Sequence, residues 1–203
     1  MLTLPVEVSL QGRAALVVGQ GPEVLPKVDR LLEAGAVVTV ITEGDPGPGL
    51  QARAGSVELL SRTATDADLD GRAIVFAAPF TTPEGEARAR RWHAAAVRHG
   101  TLFCAIDRPE ACTFVNVAVV RAPGVTMTFS TGGASPGTAR RIREDLEALF
   151  ADPRFARFVD RLGALRATLP RGARASRLAA AVEGFAVEAR LRFPAWFERG
   201  DDP

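Results

Sequence analysis

Residues 14–21 read Ala14-Ala15-Leu16-Val17-Val18-Gly19-Gln20-Gly21, and the reading of this stretch decides the fold. Five apolar residues in a row, valines among them, describe a strand covered on both faces. A Gly-x-Gly turn follows. Beyond it Val24, Val28, Leu31, Leu32 and Ala36 recur at helical spacing, with Gly35 as the stop. Val37-Val38-Thr39-Val40-Ile41 is then a second apolar run. Strand, glycine turn, helix and strand make the opening βαβ unit of a nucleotide-binding sheet. A turn of this kind brings backbone N–H groups and a helix N-terminus up to a pyrophosphate. Glu43, just past the second strand, is near the usual place for a carboxylate reaching a ribose hydroxyl; the alternative is that Gly19 and Gly21 merely make a tight βα turn and Glu43 is a solvated loop charge.

The turn also departs from the pattern. Val24 occupies the place of a small third residue, and Pro22 and Pro26 fall where the helix is expected to begin. A β-branched side chain there crowds the helix against the strand. A helix beginning at Pro22 meets Pro26 inside its first turns, so a start at Pro26 after a longer turn is the alternative. The fold signal is therefore stronger than the cofactor signal.

Working outward, alternating Leu4, Val6, Val8 and Leu10 describe a short edge strand or lead-in. Residues 43–49 form a Gly/Pro loop, with a weak helix over 50–54, a strand over 57–60 and a short turn or helix over 66–69. Residues 73–78 and 101–106 are apolar runs typical of buried parallel strands. A helix over 82–99, closed by Gly100, separates them. Strands alternating with helices predict a Rossmann-like parallel α/β sheet over residues 1–112. Two strands, 114–120 and 125–130, then face each other across Arg121-Ala122-Pro123-Gly124 as an antiparallel hairpin. Ser135 and Pro136 start a helix as N-cap and first residue. Residues 113–150 thus form a small α+β segment. Residues 151–203 are predicted to be helical, with apolar stripes from Phe155 to Leu165 and from Leu178 to Leu191, and a frayed end.

Composition narrows the class. The 203 residues carry a net charge of +1, with 47% hydrophobic and 24% charged residues, so no bulk field argues for nucleic acid or a membrane surface. No apolar run approaches membrane-spanning length and no signal-peptide pattern opens the chain. Cys104 and Cys112 have neither zinc spacing nor a disulfide framework, and read as free thiols of a reducing compartment, hence a cytoplasmic protein. Lys27 is the sole lysine.

Two further stretches carry chemistry. Asp107 directly follows an apolar strand, where ligands of open parallel sheets bind and where a carboxylate serves as general base or metal ligand, or simply as a turn residue. Thr131-Gly132-Gly133-Ala134-Ser135-Pro136 runs into a helix N-terminus, and Arg140, Arg141 and Arg143 follow within two turns. Positive charge there opposes the helix dipole, so it points either to a carboxylate ligand or to pairing with Glu144 and Glu147 on a solvated face.

Taken in order, Gly19-x-Gly21 with Lys27, Leu31-Leu32-Glu33-Ala34-Gly35-Ala36, Phe103-Cys104-Ala105-Ile106-Asp107, Phe114, and Ser130-Thr131-Gly132-Gly133-Ala134-Ser135-Pro136 with Ala139-Arg140 resemble the N-terminal module of siroheme synthase. That module also occurs as a free-standing precorrin-2 dehydrogenase. The resemblance covers residues 1–150 closely and the helical tail only in kind. It implies NAD-dependent oxidation of precorrin-2 to sirohydrochlorin, iron insertion in some members, and a homodimer interlocked through about residues 113–150. It implies that Asp107 is the catalytic aspartate and that Thr131, with Gly132, Gly133, Ser135 and Arg140, meets the polycarboxylate tetrapyrrole. It places Gly19, Gln20, Gly21, Pro22, Glu23, Glu43, Gly44, Ala78 and Pro79 at NAD. No resident metal site is implied.

The departures fall on the cofactor side. The family's G-G-G-x-V-A is here Gly19-Gln20-Gly21-Pro22-Glu23-Val24, its Ala-Thr-Asp-Asp is Ala78-Pro79-Phe80-Thr81, and its Asn before the aspartate is Cys104. Two other functions follow from that pattern: metal insertion through Asp107 without redox chemistry, or a tetrapyrrole carrier.

Overall fold

A computed structural model describes residues 3–200. The chain divides into two compact units, Met1–Asn116 and Val117–Pro203. The first unit ends four residues beyond the expected boundary at 112, and residues 113–150 are not set apart from the helical tail as a unit of their own.

The first unit is a parallel sheet of five strands: β1 (Ala14–Val18), β2 (Val37–Thr42), β3 (Glu58–Ser61), β4 (Ile74–Ala77) and β5 (Leu102–Ala105). Their order is β3-β2-β1-β4-β5, and Val18 lies level with Ile41 on one side and Ala77 on the other. The apolar runs became the central strands because helices cover both faces: Leu16, Val17, Val40, Ile41, Val75 and Phe103 are wholly or almost wholly buried. Helices α1 (Leu25–Glu33) and α3 (Pro83–His99) make crossovers, and the short α2 (Gly47–Gln51) precedes β3. Thr82 caps α3, its hydroxyl accepting from Gly85 N, and Gly100 closes the helix.

Trp92 fixes α3 to the sheet. It is wholly buried, meets Phe80 and Phe103 edge-on at 6.3 Å each, and donates its indole N–H to Asp66 at 2.7 Å. Asp66 also accepts two bonds from Arg91, at 2.7 and 3.0 Å. The guanidinium, aided by the indole N–H, holds this carboxyl below the usual carboxylate range.

The second unit opens with an antiparallel ribbon, β6 (Ala118–Ala122) and β7 (Val125–Phe129), turned at Pro123-Gly124. Helix α4 (Pro136–Phe150) packs on β6. Helices α5 (Pro153–Thr168), α6 (Arg174–Ala181) and α7 (Ala195–Arg199) follow.

Several expectations are corrected. Residues 4–10 form no strand: Leu4 and Val6 are 81% and 68% exposed, and alternation without a neighbouring edge pairs with nothing. The helix expected over 50–54 lies over Gly47–Gln51, because Pro48 suits a first turn. The first hairpin strand starts at Ala118 rather than Phe114. Residue 113 is bonded to β5 through Thr113 N and Phe103 O at 2.8 Å, and Phe114 packs edge-on against Phe76. The stripe running to Leu191 breaks after Ala181, so Leu191 lies in irregular chain and is 80% exposed. The expected frayed end contains α7, and its last three residues lie outside the described residues.

Trp92→Ala is expected to destabilise the fold by about 3–5 kcal/mol, the range for emptying an aromatic core site, read as a lowered urea midpoint. The Asp66 contribution is present above the ordinary carboxylate pKa of 3.8 and is lost as pH falls through the depressed folded value. Thermal melting between pH 5 and pH 2 is therefore expected to show a smaller acid loss in Asp66→Asn than in the parent chain.

Candidate functional site

The sheet order reverses between β1 and β4, and at such a switch point the loops leave in opposite directions and open a crevice. Here the crevice has a volume of about 610 Å³. Val18, Gly19 and Gln20 of the first turn, Ala78 and Pro79 beyond β4, and Glu43 beyond β2 line it. Its other wall is the start of α3, with Thr82, Glu84, Gly85, Arg88 and Arg91.

Backbone contact sets the shape of the turn. Gly19 N donates to Ile41 O at 2.8 Å, and Ala78 N donates to Val18 O at 2.9 Å. Gly19 has φ +125°, and a Cβ there would stand 2.1 Å from the Ala78 carbonyl oxygen. Gly21 has φ +93° and nothing within 4 Å of its Cβ position, so open space lies over the turn. A main chain stripped of side chains beside a crevice of this size suits a dinucleotide's phosphates.

The Val24 objection dissolves in the geometry. Helix α1 begins at Leu25, with Val24 as its N-cap and Pro26 in its first turn. Val24 is wholly buried, its Cγ2 3.4 Å from the Cβ position of Gly19. The longer turn has a consequence: Val24 N is bound to Gly21 O, Lys27 N to Val24 O, and Pro22 and Pro26 have no N–H. Fewer main-chain donors face a phosphate than in the regular motif.

Gln20 faces Gly44, its Oε1 3.5 Å from that residue's Cβ position, and Thr42 Oγ1 donates to Gly44 O at 3.1 Å. Gly21 and Pro22 line an adjoining hollow of about 410 Å³ with Leu25 and Asp45. Glu23 is exposed and lines neither. Glu43 Oε1 accepts from Arg88 Nη1 at 3.0 Å.

Asp107 stands two residues beyond β5, exposed, with φ +63°, a conformation that Asp tolerates better than most residues. Arg108 ties this loop down: its Nη2 donates to Phe80 O at 3.0 Å and pairs with Glu86 at 2.6 Å. The Asp107 loop is thereby held beside the segment that carries Ala78 and Pro79. Lys27 Nζ lies 5.6 Å from the Phe76 ring centre, and burial, helped by Arg30, lowers its pKa. The thiols of Cys104 and Cys112 are both free and buried, and a hydrogen bond with Cys112, together with burial, pushes the Cys104 thiol up.

In the second unit the Thr131–Ser135 loop closes on itself. Thr131 Oγ1 accepts from Ser135 N at 3.3 Å, Gly132 N donates to Ser130 Oγ at 3.0 Å, and Ser135 Oγ caps α4 by accepting from Thr138 N. Gly132 and Gly133 are exposed. The arginines pair along their own helix, Arg140 with Glu144 at 3.9 Å, Arg141 with Asp145 at 2.9 Å and Arg143 with Glu147 at 2.8 Å.

Residues 6–118 match a family model described as "Putative NAD(P)-binding". The chain belongs to this NAD(P)-binding family. It is 32% identical over 200 residues to a siroheme synthase of Thioalkalivibrio sulfidiphilus, covering 94% of this chain and 34% of that protein. It is 38% identical over 146 residues to the siroheme synthase of Pseudomonas entomophila, covering 71% of this chain and 31% of that one. The chain thus spans about a third of the length of the siroheme synthases it matches. A solved structure titled "SirC, precorrin-2 dehydrogenase" has the same fold, with a TM-score of 0.70 at 19% identity over 90% of both chains. The kinship with siroheme synthase expected from the sequence holds.

For a member of the NAD(P)-binding family, the crevice gathers Gly19, Gln20, Glu43, Ala78 and Pro79 from the expected set. What sequence reading missed is the α3 wall. Arg88 and Arg91 sit inside an arginine-rich amphipathic helix, far from the glycine turn in sequence, and no local motif marks them. The only signal was Thr82-Pro83 as a helix start beyond a strand end.

Gly19→Ala is expected to cost about 3 kcal/mol, adding a backbone clash to strain, and Gly21→Ala about 1–2 kcal/mol from strain alone. Urea denaturation of both variants checks the difference.

Proposed function

We propose that this chain is an NAD-dependent dehydrogenase that oxidises precorrin-2 to sirohydrochlorin. The observation that carries this is the crevice at the β1/β4 switch point, with the Asp107 loop strapped beside it by Arg108. The similarity to siroheme synthases supplies the substrate class.

Gly19, Gln20, Gly21 and Pro22 would hold the pyrophosphate, with Glu23 at the turn's outer edge. Glu43 and Gly44 would meet the adenosine ribose, and Ala78 and Pro79 would flank the nicotinamide side. Bound there, NAD supplies a two-electron hydride acceptor. Asp107 accepts the proton that the macrocycle loses with the hydride; its carboxylate is exposed and held on a strained, pinned turn. Asp107 is therefore the general base, and Arg108 its positioning residue.

The substrate's carboxylates would be met by Thr131, Gly132, Gly133 and Ser135, with Arg140 exchanging its long pair with Glu144 for a substrate carboxylate. The working form is a cytoplasmic homodimer joined through about residues 113–150. Supporting this, a two-stranded ribbon is marginal by itself, and Ile142 and Leu149 of α4 are 38% and 40% exposed. Pro22 and Pro26 favour one second reading, a tetrapyrrole-binding chelatase or carrier that does not use NAD.

Calorimetric titration with NAD, then turnover of precorrin-2 followed by NADH absorbance, tests the proposal. Binding with turnover is expected. Asp107→Asn is expected to lower kcat by about 10²–10⁴-fold while NAD still binds. Tetrapyrrole binding without any NAD binding overturns the dehydrogenase and leaves the second reading.

A further inference from the structure

We infer that Arg88 decides which dinucleotide the crevice accepts, and that through it the site takes the 2′-phosphorylated form, NADP, alongside NAD. The inference rests on the reading of the crevice as a dinucleotide site.

A carboxylate beyond the second strand normally selects against the 2′-phosphate. It accepts hydrogen bonds from the ribose diol and repels the phosphate dianion. Glu43 stands in that place, but its charge is not free. Its Oε1 is 3.0 Å from Arg88 Nη1, and Arg88 comes from α3 on the opposite wall. The pair therefore spans the lip of the crevice.

The two partners are held differently. The Arg88 guanidinium lies 5.7 Å from the Phe80 ring centre and 5.4 Å from that of Trp92, both buried rings. Its side chain is 22% exposed, and its Nε is buried with no hydrogen-bond partner among the described residues. Glu43 is 47% exposed and precedes Gly44 in a loop. The cation is anchored and the carboxylate is free to turn.

That asymmetry sets the response to each ligand. A ribose diol donates to Glu43 while Arg88 stays in place. A 2′-phosphate displaces the Glu43 carboxylate and takes the guanidinium, whose donors match phosphate oxygens. At the lip Arg88 balances Glu43, whereas Glu84 further along the wall is not offset by Arg91, whose charge is taken up by Asp66. Arg91 adds no donors, because it is bonded twice to Asp66.

The test is calorimetric titration of the full chain with NAD and with NADP at one fixed salt concentration. The two Kd values are expected to agree within about tenfold. Arg88→Gln is expected to raise the ratio of the NADP Kd to the NAD Kd by at least about tenfold. Circular dichroism shows whether that variant folds. Where it does not, Glu43→Gln decides, and the ratio is then expected to fall by at least about threefold. NAD preferred beyond tenfold by the parent chain, or a ratio unmoved in the deciding variant, overturns the inference and leaves the cofactor site standing. Binding of neither dinucleotide overturns the site reading with it.

Discussion

The main chain at Gly19 passes so close to the Ala78 carbonyl that no side chain fits between them, and the crevice depends on that contact. It lets β1 and β4 stay paired up to their last residues, with Val18 O bound to Ala78 N. Both loops then turn away from a common point. A bulkier residue at position 19 would part the strand ends and lose the lip on which Gln20, Glu43 and Pro79 converge. Val24, which looks wrong in the motif, belongs to the same packing: it fills the space beneath Gly19 that the delayed helix start leaves open.

The charges of the site come from elsewhere. The first βαβ unit contributes shape and one carboxylate, whereas the cations arrive on α3 after a chain reversal. Aromatic packing makes that delivery accurate. Trp92 locks α3 against Phe103, and Phe80 closes over it, so Arg88 is seated on two rigid rings before any ligand enters. Beyond β5, Arg108 restrains the loop of Asp107 through the same neighbourhood, to Phe80 O and Glu86. One aromatic cluster thus fixes both a cation of the cofactor crevice and the strap on the candidate base. The second unit is built differently. Its apolar side chains are less completely covered: Ile142 and Leu149 of α4, Trp196 and Phe197 of α7, and Phe185, Val187, Leu191 and Phe193 of the irregular chain are exposed.

Much of the first unit was legible locally. Continuous apolar runs at 14–18, 37–41, 73–78 and 101–106 have no solvated face, and only a doubly covered parallel strand accommodates that. Helix ends were legible where a side chain does the capping, as at Thr82 and Ser135. Reading failed where the deciding partner is distant. Residues 4–10 alternate like a strand but meet no edge. Thr113 is spoken for by β5, which delays the hairpin strand to Ala118. The apolar stripe after Leu178 continues on paper, yet the helix ends at Ala181. Periodicity reports a face and says nothing of whether a neighbour covers it.

By itself, the sequence determined the sheet's parallel character, the place of the glycine turn, the family resemblance and the strand-end position of Asp107. Each is written in contiguous residues, because backbone conformation and burial on both faces are local demands. Tertiary structure alone decided that Gly19 meets the Ala78 carbonyl, that Arg108 reaches Phe80 O and Glu86, and that Glu43 is paired with Arg88. Those outcomes depend on which residues meet across tens of positions. Coulombic and steric contacts act through a few ångströms of space, and spacing along the chain carries no record of that distance.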